Sequence, residues 1–122
     1  MKQEIAKQWV EALRSGKYKQ GKGQLMAVVS ENEKEYCCLG VLCDLSGVGE
    51  WVFEKGCIPE YVTATGNIIG LYSVDVIEWA GMKSTIGKLY YDEIDTCLAI
   101  INDEGVPFSK IAEIIEENWR KL

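Results

Sequence analysis

Ile5, Trp9 and Leu13 recur at i, i+4 and i+8, with Ala6, Val10 and Ala12 widening the stripe and Lys2, Gln3, Lys7 and Glu11 outside it. This is the period of a helix with one apolar face, so the spacing predicts a helix over residues 2–14. Ser15-Gly16 supplies the stop, because glycine accepts the left-handed backbone that closes a helix. Leu25 to Val29 is a short apolar run ending in β-branched residues and reads as a strand, and Ser30 to Glu35 as a polar turn. Tyr36 to Leu45 is the most apolar segment. Its Leu39, Leu42, Cys43 and Ser46 fall at helical spacing, which predicts a buried helix ending at Ser46-Gly47. Gly40 inside it costs ~1 kcal/mol against alanine unless close packing requires it.

The middle, Gly47 to Tyr72, is interrupted by Gly47, Gly49, Gly56, Pro59, Gly66 and Gly70. Within it, Trp51-Val52-Phe53 and Asn67-Ile68-Ile69 are expected to pair as two short strands. Ser73 is a suitable N-cap for a helix through Trp79 closed by Gly81. A further helix is expected to open at Tyr91 or Asp92, with Ile94, Leu98 and Ile101 on one face, and to end at Asn102 to Gly105. Ser109 starts the last helix, with Ile111, Ile114, Ile115 and Trp119 inward and Lys110, Glu113, Glu116 and Glu117 outward. The expectation is an α+β fold: one mainly helical domain over residues 1–122 with one small antiparallel sheet.

Charge changes this picture at one place. The chain carries net charge −6, yet Arg14, Lys17, Lys19 and Lys22 place four positive charges within residues 14–23, leaving about −10 for the rest. No Asp or Glu lies between Glu11 and Glu31. Gly16, Gly21 and Gly23 punctuate this loop, and glycine-exposed backbone N–H groups beside lysines can form an anion nest. Residues 16–22 satisfy the letters G-x-x-x-x-G-K. Position 23 is Gly where a triphosphate loop needs Ser or Thr, and the loop follows a predicted helix where that motif needs a strand, so a nucleotide triphosphatase is not expected. The alternative is a solvated loop whose lysines offset the acidic surface. An extended basic face is absent, which argues against general nucleic-acid binding.

No window approaches a membrane span, and Met1-Lys2-Gln3-Glu4 leads into no apolar signal region, so a cytosolic location is expected. The five cysteines (Cys37, Cys38, Cys43, Cys57 and Cys97) are odd in number and include an adjacent pair, which disfavours a disulfide framework. They read as reduced, mostly buried thiols. A zinc site from Cys37 or Cys38 with Cys43 and Cys57 is the weaker alternative, since the chain has neither a Cys-x-x-Cys knuckle nor any histidine. The lack of histidine also removes the usual general base near neutrality, so no enzyme and no cofactor are expected.

Asp92, Glu93 and Asp95 read as the acidic first turn of a helix. Asp44, a charge inside the most apolar segment, must emerge at the surface or be paired. Its partner is either a cation of the basic loop (Arg14 or a lysine) or the ribose or base of a ligand. Residues 98–115 resemble the start of a helix-turn-helix, but residues 92–122 hold eight acids against three bases, so two packed helices are expected. Trp9 and Trp119 read as core, whereas Trp51 and Tyr72 are candidates for a pocket wall or an interface.

Taken together, three blocks resemble a family of small uncharacterised proteins of tailed bacteriophages and prophages. The first runs from Trp9 through Tyr18-Lys19-Gln20-Gly21-Lys22-Gly23 to Leu25. The second is Tyr36-Cys37-Cys38-Leu39-Gly40-Val41-Leu42-Cys43-Asp44-Leu45. The third comprises Trp79-Ala80-Gly81 and Leu98…Asn102-Asp103…Gly105…Phe108…Ile111-Ala112. At Pro107 the chain departs from the pattern, where a Ser or Thr cap is expected.

The resemblance implies a phage setting more than a chemistry. With the basic loop, it gives the expectation of a protein that sequesters a phosphorylated nucleotide signal of host antiviral immunity without catalysis. Arg14, Lys17, Lys19 and Lys22 would meet phosphate, and Gly21 and Gly23 would present backbone donors. Tyr18 would stack, Gln20 and Asp44 would read polar edges, and Tyr36 is counted among the ligand-binding residues. A homo-oligomer is expected. The runner-up is a module that inhibits a host protein by surface contact, and the third reading is a small nucleotide-modifying enzyme.

Overall fold

The computed structural model describes residues 1–68 and 74–122. Helix α1 (Gln3–Arg14) buries Ile5, Ala6, Trp9, Val10 and Leu13, the stripe its sequence predicts, and Gly16 at φ +76° turns the chain away. Helix α2 (Cys38–Ser46) buries every residue from Cys38 to Cys43 and closes at Gly47 in the left-handed conformation. Gly40 is there because nothing larger fits: a Cβ on it would lie 1.7 Å from the carbonyl oxygen of Leu25. Trp9 is wholly buried, and its indole N–H donates to the Cys38 carbonyl at 2.9 Å, fixing α1 against the first turn of α2. A buried indole nitrogen needs such a partner. Helix α5 (Phe108–Asn118) lies along α1 and buries Phe108, Ile111, Ala112, Ile114 and Ile115. Helices α3 (Val74–Ala80) and α4 (Leu98–Asp103) pack on α2.

Helix outweighs strand among the described residues, 39% against 24%, so the α+β domain with a helical majority stands. The strands form three small sheets rather than one. In the first, β1 (Lys19–Gln20) runs parallel to β3 (Glu33–Tyr36), which pairs antiparallel with β2 (Met26–Ser30). The second is an antiparallel set of β4 (Gly49–Val52), β5 (Glu60–Thr63) and β6 (Gly66–Ile68). The third is the hairpin of β7 (Lys88–Tyr91) and β8 (Ile94–Cys97). Helices separate these groups along the chain, so each short set closes on itself.

Several expected elements are displaced. Residues 33–36 are strand β3, and the polar turn shrinks to Glu31-Asn32. Trp51 and Asn67 belong to one sheet but do not pair, because β5 lies between their strands; Ile69, Tyr72 and Ser73 lie outside the described residues. The helix expected from Tyr91 or Asp92 begins only at Leu98. Asp92 (φ 52°) and Glu93 (φ 66°) instead form the tight turn of the β7–β8 hairpin, where two successive positive φ angles match the twist of the strands. The acidic trio is therefore a hairpin tip with Asp95 on the next strand. Trp119 falls just beyond α5 and is only half-buried, with the Arg120 guanidinium 4.4 Å from its ring centre. No described helix is long and apolar enough to cross a membrane.

Candidate functional site

The basic loop is built into the body of the protein. Its centre is strand β1, paired parallel to β3 with Lys19 opposite Glu35 and Gln20 opposite Tyr36. A Cβ at position 21 would lie 2.9 Å from the Glu35 Cβ, so glycine is what lets the two strands meet. The expected backbone donors are already engaged, which corrects the nest reading at these two positions. The Gly21 N–H donates to the Tyr36 carbonyl at 2.8 Å, and the Gly23 N–H to Asp103 Oδ1 at 2.9 Å.

The four cations do not converge. Arg14 makes a two-pronged contact with Glu116, at 2.9 and 3.4 Å, tying α1 to α5. Lys19 pairs with Glu33 and, at 3.6 Å, with Glu35. The Lys22 side chain lies across Gly105, with its ammonium 3.1 Å from where a Cβ there would sit. Lys17 and Lys22 are exposed and form no ion pair with any described residue.

Gln20 faces inward. Its Nε2 donates to Asn102 Oδ1 at 3.1 Å and to the Val106 carbonyl at 2.7 Å, while its Oε1 accepts the Phe108 N–H at 3.1 Å. It thereby caps α5 from a distant part of the chain, which explains how Pro107 can occupy the N-cap without a capping side chain. With both amide hydrogens and one lone pair of its oxygen engaged inside the protein, Gln20 clasps β1 to α4 and α5. The matching hub is Asn102, wholly buried, whose role sequence reasoning missed.

A different constellation forms where the loop meets α2. Asp44 emerges on the exposed side of α2, and its partners are neither Arg14 nor a lysine. Its Oδ2 accepts the Tyr18 hydroxyl at 2.5 Å and its Oδ1 the Trp51 indole N–H at 2.9 Å. Tyr18 meets Tyr36 edge-to-face at 5.1 Å between ring centres, Tyr36 meets Trp51 at 6.0 Å, and Trp51 meets Tyr61 at 5.0 Å. These are favoured aromatic geometries. The row ends inside the protein, where the Tyr61 hydroxyl accepts the Gly49 N–H at 2.9 Å and contacts Ser46 Oγ at 3.1 Å. Tyr18, Tyr36 and Trp51 remain half-buried, so the row presents aromatic surface beside a carboxylate.

Burial, followed by the bond to Asp44, holds the Tyr18 phenol well above its ordinary value. Burial and the Asp44 charge push Tyr36 in the same direction. Both hydroxyls are therefore neutral donors at physiological pH. Tyr18 also borders a shallow groove of about 520 Å³, shared with Gln8, Glu11, Ala12, Lys17 and Leu45. Tyr18 thus touches the exposed Asp44 carboxylate and also shares a groove with Lys17, which makes no ion pair with a described residue, and with the Glu11 carboxylate.

Cys37 and Cys43 neighbour Tyr36 and Asp44 in the chain but are themselves buried. Cys37, Cys38, Cys43 and Cys97 are buried and free, and Cys57 is exposed. Burial pushes Cys37 up to about 11 and Cys43 up to about 12, and raises Cys38 well above the ordinary thiol range. A thiol so shifted is a poor nucleophile at neutral pH. Cys37 instead accepts the Gly40 N–H through sulfur at 3.4 Å, capping α2.

Residues 1–119 match the family model described as a domain of unknown function, DUF8296, and the chain belongs to that family. No curated protein and no solved structure matches the chain.

Proposed function

We propose that this protein is a non-catalytic binder of a small phosphorylated, nucleotide-derived molecule, held at the Tyr18–Asp44–Trp51 surface. What carries the reading is the juxtaposition of Tyr18, Asp44 and Lys17. Half-buried aromatic rings offer faces to a base. Each Asp44 oxygen already accepts one protein donor and keeps a further lone pair for a ribose hydroxyl or an exocyclic amine. Lys17, beside Tyr18, supplies a positive charge for phosphate. Lys19, Gln20, Gly21 and Gly23 anchor the segment that follows Tyr18 to β3, α4 and α5, while Arg14 ties α1 to α5.

In a phage setting, which the motif resemblance suggests, such a binder would sequester a nucleotide signal of host antiviral immunity. Calorimetry with cyclic dinucleotides and ADP-ribose derivatives, together with mass spectrometry of material released by heating, tests the proposal. The expected result is micromolar or tighter retention of at least one, weakened about tenfold by Asp44→Asn or Lys17→Glu, in line with losing one charged contact. No retention of any of them by the wild-type protein overturns it. A released compound chemically altered by the protein would instead favour the nucleotide-modifying enzyme.

One observation favours the second reading, a module that inhibits a host protein by contact. Val28 and Val29 on β2 are about half exposed, and Val28 pairs across the sheet with Lys34, whose ammonium lies 4.8 Å from the ring centre of the half-exposed Phe53. An apolar patch on an acidic protein suits a basic partner. A stoichiometric protein captured from host lysate, with no nucleotide released on heating, would select this reading.

A further inference from the structure

One face of the β7–β8 hairpin carries exposed Lys88, Tyr90 and Asp95 above a buried Cys97, and Ile94 near the tip of the other face is exposed as well. Lys88 and Tyr90 point away from the core while Leu89 is buried, and Asp95 stands directly opposite Tyr90. Lys88 pairs with Cys97, so Asp95 is its diagonal neighbour on the same face. Lys88 and Asp95 nevertheless make no ion pair with each other or with any other described residue. Beside these charges the surface is apolar. Tyr90 is 61% exposed and Ile100, the α4 residue beside it, 51%, and with Ile86 they line a groove of about 590 Å³.

We infer that this face is the two-fold interface of a homodimer, its occupant the same face of a second copy of the chain. A two-fold contact requires self-complementarity: whatever residue i meets, the partner's copy of that residue must meet i. An opposite charge on each flank of an aromatic centre satisfies that condition. With the axis near Tyr90, Lys88 of one copy meets Asp95 of the other, and the reciprocal pair forms on the far side. Tyr90 and Ile100 are then covered as the apolar centre, with the charges as a polar rim. A basic or acidic foreign partner would leave one of the two charges unmatched. The inference is independent of the nucleotide reading, since Lys88 and Asp95 lie outside the Tyr18–Asp44 surface.

Sedimentation equilibrium and light scattering on the full chain test it. The wild type should have twice the mass of one chain at ~100 micromolar, a concentration that populates even weak dimers. Lys88→Asp alone, or Asp95→Lys alone, should weaken the dimer about tenfold or more by placing like charges together. The combined Lys88→Asp and Asp95→Lys protein should regain wild-type association. Hydrogen exchange on the unaltered protein supplies a measurement free of folding effects, with protection of residues 86–97 and of Ile100 rising with concentration. A monomer throughout, a dimer indifferent to either single reversal, a combined variant that stays weak, or protection that does not vary with concentration would each overturn the proposal.

Discussion

Asn102 uses the whole capacity of its amide without contact to water. Oδ1 accepts from the Cys38 N–H and from Gln20 Nε2, each at 3.1 Å, and Nδ2 donates to the Gly21 carbonyl at 2.9 Å and to Asp103 Oδ1 at 3.2 Å. It joins the end of α4 to the first turn of α2 and to the basic loop, 64 and 81 residues away in the chain. Asn102→Ala removes the partners of the buried Cys38 N–H and of the Gly21 carbonyl. The expected loss is about 3 kcal/mol of stability, read as a lower urea midpoint at unchanged slope. Lys17→Ala, at an exposed site, should stay within about 0.5 kcal/mol of the wild type. Gln20, Gly21 and Asn102 all stand in the motif blocks, but their letters do not say whether a polar group faces a ligand or another part of the chain. That distinction depends on contacts distant in sequence.

Periodicity identified α1 and α5 because each buries one stripe, and the unbroken apolar run identified α2, which is buried all round from Cys38 to Cys43; both signals are local information. Periodicity misled at residues 91–101, where Ile94, Leu98 and Ile101 match helical spacing although Ile94 is 60% exposed on a strand. The stronger signal was the run of strand formers Leu89, Tyr90, Tyr91, Ile94 and Thr96 around two acidic residues able to turn the chain. Glu93 sits at φ 66°, where a side-chain-bearing residue is strained by about 1 kcal/mol and glycine is not. Glu93→Gly is therefore expected to raise the thermal midpoint by about 4 °C, measured by circular dichroism. An unchanged or lower midpoint would mean that the turn is not under strain.

Burial gives the molecule as a whole a sensitivity to alkali. The folded protein holds Tyr18, Tyr36, Cys37 and Cys43 above their ordinary values, with burial the largest cause for each. All four are neutral when protonated, so their contribution to stability is complete below the ordinary thiol value of 9.0. It is lost as pH rises past that point, because the unfolded chain ionises first. The thermal midpoint should show no loss from these groups between neutrality and pH 9, and should fall progressively from there to about 12, the shifted position of Cys43. Fluorescence-monitored melts across that range would check it, and a flat profile would contradict the burial of these groups. Helices α1, α2 and α5, the glycine stops after α1, α2 and α3, and the helix-dominated α+β class were written in the chain, since hydrophobic spacing and glycine stops act over a few residues. Only folding could place Asp44 between Tyr18 and Trp51, disperse the four cations, turn Gln20 inward and divide the strands among three sheets. Each of those outcomes is a competition among partners far apart in sequence, settled by which groups packing brings within reach.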